Sequence, residues 1–417
     1  MSNRVGIFLI IAVVFRALSV LLLISLAQTA GAQIISTIAG AGQNGVSGIL
    51  AEAIALDRWG NIYTAEPTLH IVRRIDHETG NVTVIAGTGT EAYSGDGGPA
   101  TQAMLDYPEG VALDRAGNVF IADPFVGVVR RVDRKTGIIT TVAGPGTPGV
   151  PDRGDGGPAT QAVLRPSDVA VNREGDLYIG DDDRIRRADH ETGIITTAVG
   201  DGHDAFVGGS GEGGPAKSAG FSYILAIAFD PHDELYVVDP GLANVRRVDR
   251  RTDIITTVAG EHLAFFSAPP APAGYNGDGI AATDALLNFP MHIAVDCAGN
   301  LTISDTFNFR VRQVNRQSGI ITTIAGNGQD SYSGDGGLAT QAGISGPRGI
   351  GFDSHGDLFF AEGGRIRKVS GLATQAGDSR CEQHDQEDCD AAVHGNCERS
   401  HDHRTDPAAG GSLRPWW

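Results

Sequence analysis

The stretch "GVALDRAGNVFIADPFVGVVRRVDRKTGIITTVAG", Gly110 to Gly144, contains four short runs of strand-forming residues separated by turn sequences. Asp-Arg-Ala-Gly-Asn joins the first two runs and supplies an aspartate and a glycine for a tight turn. A Lys-Thr-Gly turn leads from the third run, Val-Val-Arg-Arg-Val, into the fourth, which is rich in Ile and Thr. The stretch therefore predicts a four-stranded antiparallel meander.

The same pattern recurs along the whole chain. The phrase for the first two strands begins at Ala53, Gly110, Asp168, Ala226, His292 and Gly349, and that for the fourth strand at Ile34, Asn81, Ile138, Ile194, Ile254 and Ile320. Repeated meanders of this kind are typical of β-propeller blades. The first copy of the fourth strand precedes every inner set, and no copy follows the last set. We therefore predict an all-β, six-bladed β-propeller over residues 33–371, closed by pairing of the Ile34 strand beside residues 366–369.

The blade sequences also resemble a known family. The consensus G-V-A-[LV]-D-x-x-G-N-[LV]-[YF]-[IV]-A-D, followed by V-R-R-V-D, is similar to that of NHL-repeat six-bladed propellers, among them secreted bacterial NHL proteins and the teneurin propeller. The resemblance covers nearly all of the chain after residue 32. Because that family holds binding modules, scaffolds and a few enzymes, the resemblance implies the fold and leaves the activity open.

Both ends of the chain differ from the repeats. Arg4 precedes a long apolar run, and Ala-Gly-Ala at residues 30–32 fits a cleavage site, so residues 1–32 are predicted to be a signal peptide. An uncleaved membrane anchor is the alternative. We expect a secreted or periplasmic protein with no membrane span after cleavage. Residues 372–417 are polar and contain Cys and His; we expect a disordered tail, with a zinc site as the alternative.

The overall charge limits the possible partners. The 417 residues include 50 acidic and 32 basic side chains, a formal net charge of −18. Nucleic acid is not expected as a partner, because phosphate binding requires clustered Lys and Arg. The protein is expected to be a monomer.

A glycine-rich phrase, Gly-Asp-Gly-Gly-Pro-Ala-Thr-Gln-Ala or a looser version of it, precedes several blades. Its glycines and proline suit a turn that connects neighbouring blades, and this structural role is favoured. No cofactor is expected. The alternative is a cation such as calcium or zinc, held by the acids of this phrase: Asp96, Asp155, Asp278 and Asp335.

Charged residues recur in two positions of every blade. An acid ends the second strand and an arginine lies in the third, which predicts a belt of acid–arginine hydrogen bonds that stabilises the ring. The acids are Glu66, Asp123, Asp181, Asp239, Asp305 and Glu362, and the arginines are Arg73, Arg130, Arg186, Arg246, Arg312 and Arg367.

Function is expected where the six-fold pattern breaks. Residues that begin or precede the first strands differ from blade to blade, and Glu109, Asp168, His292 and Arg348 are expected to converge at the channel mouth. Phe125, Phe307 and Phe309 lie in loops predicted on the same face. We favour non-catalytic binding of an extracellular or periplasmic protein or glycan. The alternative is a metal-dependent propeller enzyme, a lyase or lactone hydrolase, with its site at the same mouth.

Overall fold

The structure is a computed structural model that describes residues 32–40, 48–145, 151–203, 211–261 and 274–372. The predicted signal peptide and the predicted tail lie outside the described residues, apart from Ala32 and Leu372. All of the described residues belong to one compact unit.

The described residues form six antiparallel sheets. Blade 1 consists of β2 (Ala53–Leu56), β3 (Ile62–Glu66), β4 (Ile71–Ile75) and β5 (Val82–Ala86). Blade 2 consists of β6 (Gly110–Leu113), β7 (Val119–Asp123), β8 (Val128–Val132) and β9 (Ile139–Ala143). Blade 3 consists of β10 (Pro166–Val171), β11 (Leu177–Asp181), β12 (Arg184–Ala188) and β13 (Ile195–Val199).

The second half of the ring repeats this order. Blade 4 consists of β14 (Ala226–Phe229), β15 (Leu235–Asp239), β16 (Asn244–Val248) and β17 (Ile255–Ala259). Blade 5 consists of β19 (Pro290–Val295), β20 (Leu301–Asp305), β21 (Arg310–Val314) and β22 (Ile320–Ala325), with the short β18 (Ile280–Ala281) at its outer edge. Blade 6 consists of β23 (Ile350–Phe352), β24 (Leu358–Glu362), β25 (Arg365–Ser370) and β1 (Ile34–Gly40).

The first strand of each blade contacts the first strands of both neighbours, and β23 contacts β2, so the six blades form a closed ring. The apolar core lies between adjacent blades. One cluster, for example, packs Val72 of blade 1 against Leu105, Val111 and Ile121 of blade 2. The six-bladed propeller predicted from the repeats is confirmed.

The predicted closure is also confirmed. Strand β1 pairs antiparallel with β25, so that Ile35 faces Val369 and Thr37 faces Arg367. The Ile35 side chain is fully buried in a cluster with Phe360 and Val369. An outer strand from one end of the chain thereby completes the last blade and covers an edge that an open array would expose.

The glycine-rich connectors run along the outer strand of the next blade. The amide of Gly97 donates to the carbonyl of Ile139, and the amide of Ile139 donates to the carbonyl of Gly98. Gly95 has φ +92°, and a Cβ added there would lie 2.7 Å from the Cα of Ala103, so only glycine fits. The connectors continue into one-turn 3-10 helices at Ala100–Gln102, Ala159–Gln161, Ala216–Ser218, Ala282–Asp284 and Ala339–Gln341. Others lie at Pro67–Leu69, Pro151–Gly154 and Thr306–Asn308.

Candidate functional site at the channel mouth

A cavity of about 200 Å³ lies at the centre of the ring, on the face that carries the loops between second and third strands, which we call the mouth face. All six blades contribute to its lining. The lining residues are Glu52, Ala53, Tyr107, Glu109, Ser167, Asp168, Leu225, Met291, His292 and Arg348. The four polar residues that the sequence predicted to converge therefore line one cavity.

Two of the charged groups in the cavity neutralise each other. The Arg348 guanidinium forms an ion pair with the carboxylate of Glu52 across the boundary between blades 6 and 1. Glu52 was not among the predicted site residues, although it occupies the same position of its blade as Glu109 and Arg348. Alignment of the repeats would have identified it.

Glu109 and Asp168 have no basic partner among the described residues. Burial, together with the charges of Glu52 and Asp123, raises the pKa of Glu109 to about 7. Burial and the charge of Glu109 raise the pKa of Asp168 to about 7, although Asp168 accepts a 2.9 Å hydrogen bond from the amide of Ile227. At neutral pH these two carboxyls are therefore partly protonated and can both donate and accept hydrogen bonds.

His292 is neutral at physiological pH. Burial lowers its pKa to about 4, since the cavity provides little hydration for an imidazolium. Its Nδ1 lies 3.2 Å from the carbonyl oxygen of Ile293, which favours the tautomer with the proton on Nδ1. The Nε2 atom is then a hydrogen-bond acceptor.

Exposed aromatic rings of blades 2 and 5 lie in the loops of the mouth face. The ring of Phe125 is 70% exposed and meets the edge of Tyr107, which lines the cavity, at a centroid distance of 4.9 Å. Phe307 is 54% exposed and stacks on Phe289 at 5.2 Å. Phe309 differs from the other two predicted aromatics, because its backbone is left-handed (φ 51°) and its side chain packs against the core.

The sequence analysis missed three aromatic residues of this rim. Tyr107, Tyr223 and Phe289 each lie three positions before the start of the repeated first-strand phrase in blades 2, 4 and 5. Burial and the charge of Glu109 raise the pKa of Tyr223 to about 12, and its hydroxyl contacts Ser167. The signal was present in the repeat alignment, which shows aromatic residues at one position in three blades.

The acids that end the second strands position this rim. In every blade the carboxylate accepts a hydrogen bond from a backbone amide of the segment that leads into the first strand. The donors are Leu50 to Glu66, Asp106 and Tyr107 to Asp123, Arg165 to Asp181, Ser222 to Asp239, Asn288 to Asp305 and Ser345 to Glu362, at 2.6–3.1 Å. The belt acids thus fix the backbone that presents the rim side chains.

Five of the six belt arginines are fully buried and Arg73 is partly buried, and the acid pairing is more complex than predicted. Four of them contact the acid of their own second strand, Arg73 with Glu66, Arg186 with Asp181, Arg312 with Asp305 and Arg367 with Glu362. In blade 2 the predicted partner is wrong. Arg130 donates instead to Asp96 of the connector, at 3.1 and 2.5 Å.

The acids of the glycine-rich connectors lie apart from one another, and each of them is close to the arginine of a different blade. The pairs are Asp96–Arg130, Asp155–Arg186, Glu212–Arg246, Asp278–Arg312 and Asp335–Arg367, at 2.5–3.7 Å. In the part of the chain that the structure describes, no cluster of three His, Cys, Asp or Glu residues has the geometry to hold a metal ion. The same part contains no α-helix with the length and hydropathy of a membrane span.

Comparison with known proteins agrees with the blade pattern. A family model of the teneurin NHL domain matches residues 62–150. Human teneurin-1 is 29% identical over 258 residues, which are 57% of this chain and 9% of teneurin-1. The chloroplastic protein SUPPRESSOR OF QUENCHING 1 of Arabidopsis thaliana is 25% identical over 283 residues, 67% of this chain and 26% of that protein. The chain thus spans only a small part of the curated relatives it matches.

A solved structure of an auxiliary nutrient binding protein from Bacteroides thetaiotaomicron superimposes with a TM-score of 0.57. The sequence identity is 19%, and the alignment covers 81% of this chain and 76% of that one. At this identity the likeness concerns the fold.

Proposed function

We propose that this chain, which is an NHL-type six-bladed propeller, is an exported, non-catalytic binding module whose mouth face binds a protein or glycan outside the cytoplasm. The observation that carries this proposal is the combination at one place of a polar cavity, built by all six blades, with exposed aromatic rings. Aromatic rings provide rigid apolar contact area, and the cavity provides directional hydrogen bonds.

The size of the cavity supports binding that extends over the rim. Sites that enclose a small molecule usually measure about 300–1,000 Å³. The cavity measures about 200 Å³ and is thus too small to enclose such a ligand. A partner would place one side chain or one sugar unit in it and rest on the rings around it.

Export is the second part of the proposal. It is supported by the apolar N-terminal run with its Ala-Gly-Ala site at residues 30–32. Fractionation of cells that express the full chain, with N-terminal sequencing of the exported product, tests it. A product that begins near Gln33 in the extracellular or periplasmic fraction is expected.

One observation favours an enzyme as the second candidate. Glu109 and Asp168 have pKa values of about 7 and lie beside the same cavity, and carboxyls with such pKa values are suited to general acid–base catalysis. A lyase or lactone hydrolase with its site there is the alternative. Turnover of lactone, peptide or glycan substrates, with and without added divalent metal, that is lost in Glu109→Gln and Asp168→Asn would favour it over binding.

The binding proposal is tested with the purified full chain on arrays of glycans and extracellular proteins, followed by affinity measurement. Phe125→Ala should weaken binding about tenfold or more, since exposed aromatic anchors dominate such interfaces. Trp59→Ala is the matched control, because Trp59 is an exposed aromatic in the turn between β2 and β3, on the opposite face. Equal losses in both variants, or no ligand on either array, would contradict the proposal.

A further inference from the structure

The loops that connect the second and third strands on the mouth face have two lengths. Four residues connect the second and third strands in blades 1, 2, 4 and 5, whereas two residues connect them in blades 3 and 6. The short loops are Asp182–Asp183 and Gly363–Gly364. Because six blades follow one another around the ring, blades 3 and 6 lie diametrically opposite.

The rim position three residues before the first-strand phrase follows the same division. Blades 1, 2, 4 and 5 carry apolar or aromatic side chains there, namely Leu50, Tyr107, Tyr223 and Phe289. Blade 3 carries Arg165, which is 75% exposed, and blade 6 carries Gly346. The two short loops thus lower the face along one diameter, and the apolar or aromatic side chains of the rim position are absent from it.

In the described residues the two short loops lie on a line through the cavity, flanked by the longer loops of the other blades, and we call this line the groove. Its walls are apolar, with Tyr107 and Phe125 on one side and Tyr223, Phe289 and Phe307 on the other. An elongated site of this kind suits an extended chain, whereas a compact ligand would use only its centre.

The charges along the groove are paired with one another. Arg165 and Arg153 contact Asp182, at 3.7 and 3.2 Å, and Arg348 pairs with Glu52. Glu109 and Asp168 are partly protonated at neutral pH. The groove therefore presents mainly paired charges and hydrogen-bonding groups, and it would not favour a strongly charged ligand.

We propose that this groove binds a neutral, linear oligosaccharide, with sugar rings stacked against the aromatic walls and hydroxyl groups hydrogen-bonded to the cavity. Stacking uses the apolar C–H faces of the sugar units, and paired carboxylates and guanidinium groups accept and donate hydrogen bonds to hydroxyls. This inference rests on the proposed binding function and specifies its ligand class.

Chain length provides the first test. Titration of the full chain with neutral oligosaccharides that rise from disaccharide to hexasaccharide should show affinity that increases with length. Phe125→Ala and Phe307→Ala, one from each wall, should each weaken binding of the hexasaccharide about tenfold. Affinity that does not depend on length, or binding of extended peptides without any glycan, would overturn the groove assignment.

A loop graft provides the second test. Replacement of Asp182–Asp183 by the four residues of the blade 4 loop, Pro-Gly-Leu-Ala, should block one end of the groove and reduce hexasaccharide affinity about tenfold while disaccharide binding persists. The control exchanges the blade 4 loop for the blade 1 loop, Pro-Thr-Leu-His, which keeps its length. Equal affinity in the blocked variant, with a normal circular dichroism spectrum, would refute the groove. A protein ligand that still depends on Phe125 would leave the broader binding function standing.

Discussion

At the scale of single residues, the repeated arginine of the third strand stabilises each blade from inside. Arg130 is fully buried, and its guanidinium donates to the carboxylate of Asp96 and to the carbonyls of Met104 and Ser94. One side chain thereby joins β8 to the connector that precedes its blade. Removal of the arginine leaves these acceptors without their donor.

We predict that Arg130→Ala lowers the free energy of unfolding by about 3 kcal/mol, because it removes a fully buried side chain together with its hydrogen bonds to Asp96, Met104 and Ser94. Arg131→Ala is the matched control. Its guanidinium is exposed and pairs with Asp133 at the surface, so its loss should cost less than about 1 kcal/mol. Denaturant unfolding of both variants measures the difference, and equal costs would contradict a stabilising role for the buried residue.

The mouth carboxyls predict a dependence of stability on pH. Asp168 has a pKa of about 7 in the folded protein, against an ordinary value of 3.8. The folded state therefore holds a proton that the unfolded state has already released between about pH 4 and pH 7. The stabilisation that this proton provides is complete below the ordinary pKa of 3.8 and is lost as the pH rises through about 7, the pKa in the folded protein.

Asp168→Asn should remove this loss, so that the variant gains stability relative to the native protein by on the order of 1 kcal/mol per pH unit over that interval. The measurement is denaturant unfolding of both proteins at several pH values. Asp133→Asn serves as a control in which the pH dependence of stability should have the opposite sign. Hydrogen bonds from Thr136 lower the pKa of Asp133, so its ionised form stabilises the folded protein. A constant difference between the native protein and Asp168→Asn would show that Asp168 does not titrate in this range.

At the scale of elements, β1 determines whether the ring is closed. Strand β1 pairs with β25 along one edge, and along the other edge the amide of Ile35 donates to the carbonyl of Gly337 while its carbonyl accepts from the amide of Gly336. The strand is thus held along both edges, although it is only seven residues long.

Ile35→Ala should therefore destabilise the propeller by about 2–5 kcal/mol, because it opens a cavity in a packed cluster. Ser36→Ala, whose side chain is partly exposed and lies on the other side of the strand, should change stability by less than about 0.5 kcal/mol. Thermal and denaturant unfolding compare the two. Deletion of residues 33–40 should in addition expose the edge of β25 and promote aggregation, visible by light scattering.

The elements were predictable because each blade repeats one pattern of strands and turns, and the closure followed from the position of the unpaired copy at Ile34. The residues of the mouth were also predictable as a group, since they occupy equivalent places in successive blades. The partner of Arg130 could not be predicted from the repeat, because Asp96 lies in a connector 34 residues away. The raised pKa values of Glu109 and Asp168 could not be predicted either, because they depend on burial and on the positions of neighbouring charges in three dimensions.

At the scale of the whole molecule, each of blades 1 to 5 is formed from one continuous stretch of the chain, whereas blade 6 combines strands from both ends of the described chain. The added Cβ at Gly371 would lie 3.0 Å from the carbonyl oxygen of Ala32, so the two ends are adjacent. Proximity of this kind permits circular permutation.

We predict that a permutant in which a short linker joins Leu372 to Gln33, with new ends between Gly89 and Thr90, folds with the same sheet content but unfolds at a lower temperature than residues 33–372. In the permutant every blade is formed from contiguous sequence. No strand from one end of the chain therefore pairs within a blade from the other end, and the ring closes between blades 1 and 2 through contacts between blades alone. Calorimetry of the two proteins measures the contribution of this fastening. Equal midpoints would mean that the interlocked blade adds nothing to stability.

The antiparallel pairing of β1 with β25 also fixes how the molecule responds to tension. Ile34 faces Ser370, and the pair extends from there toward Gly40 and Arg365. A pulling force applied between the two flanking segments would therefore break the interstrand hydrogen bonds one after another, as in a zipper, and not all together. Blade 6 would yield first, and it carries one end of the groove. If the groove binds as proposed, a protein held at both of its ends would then release the ligand under load before the other five blades unfold.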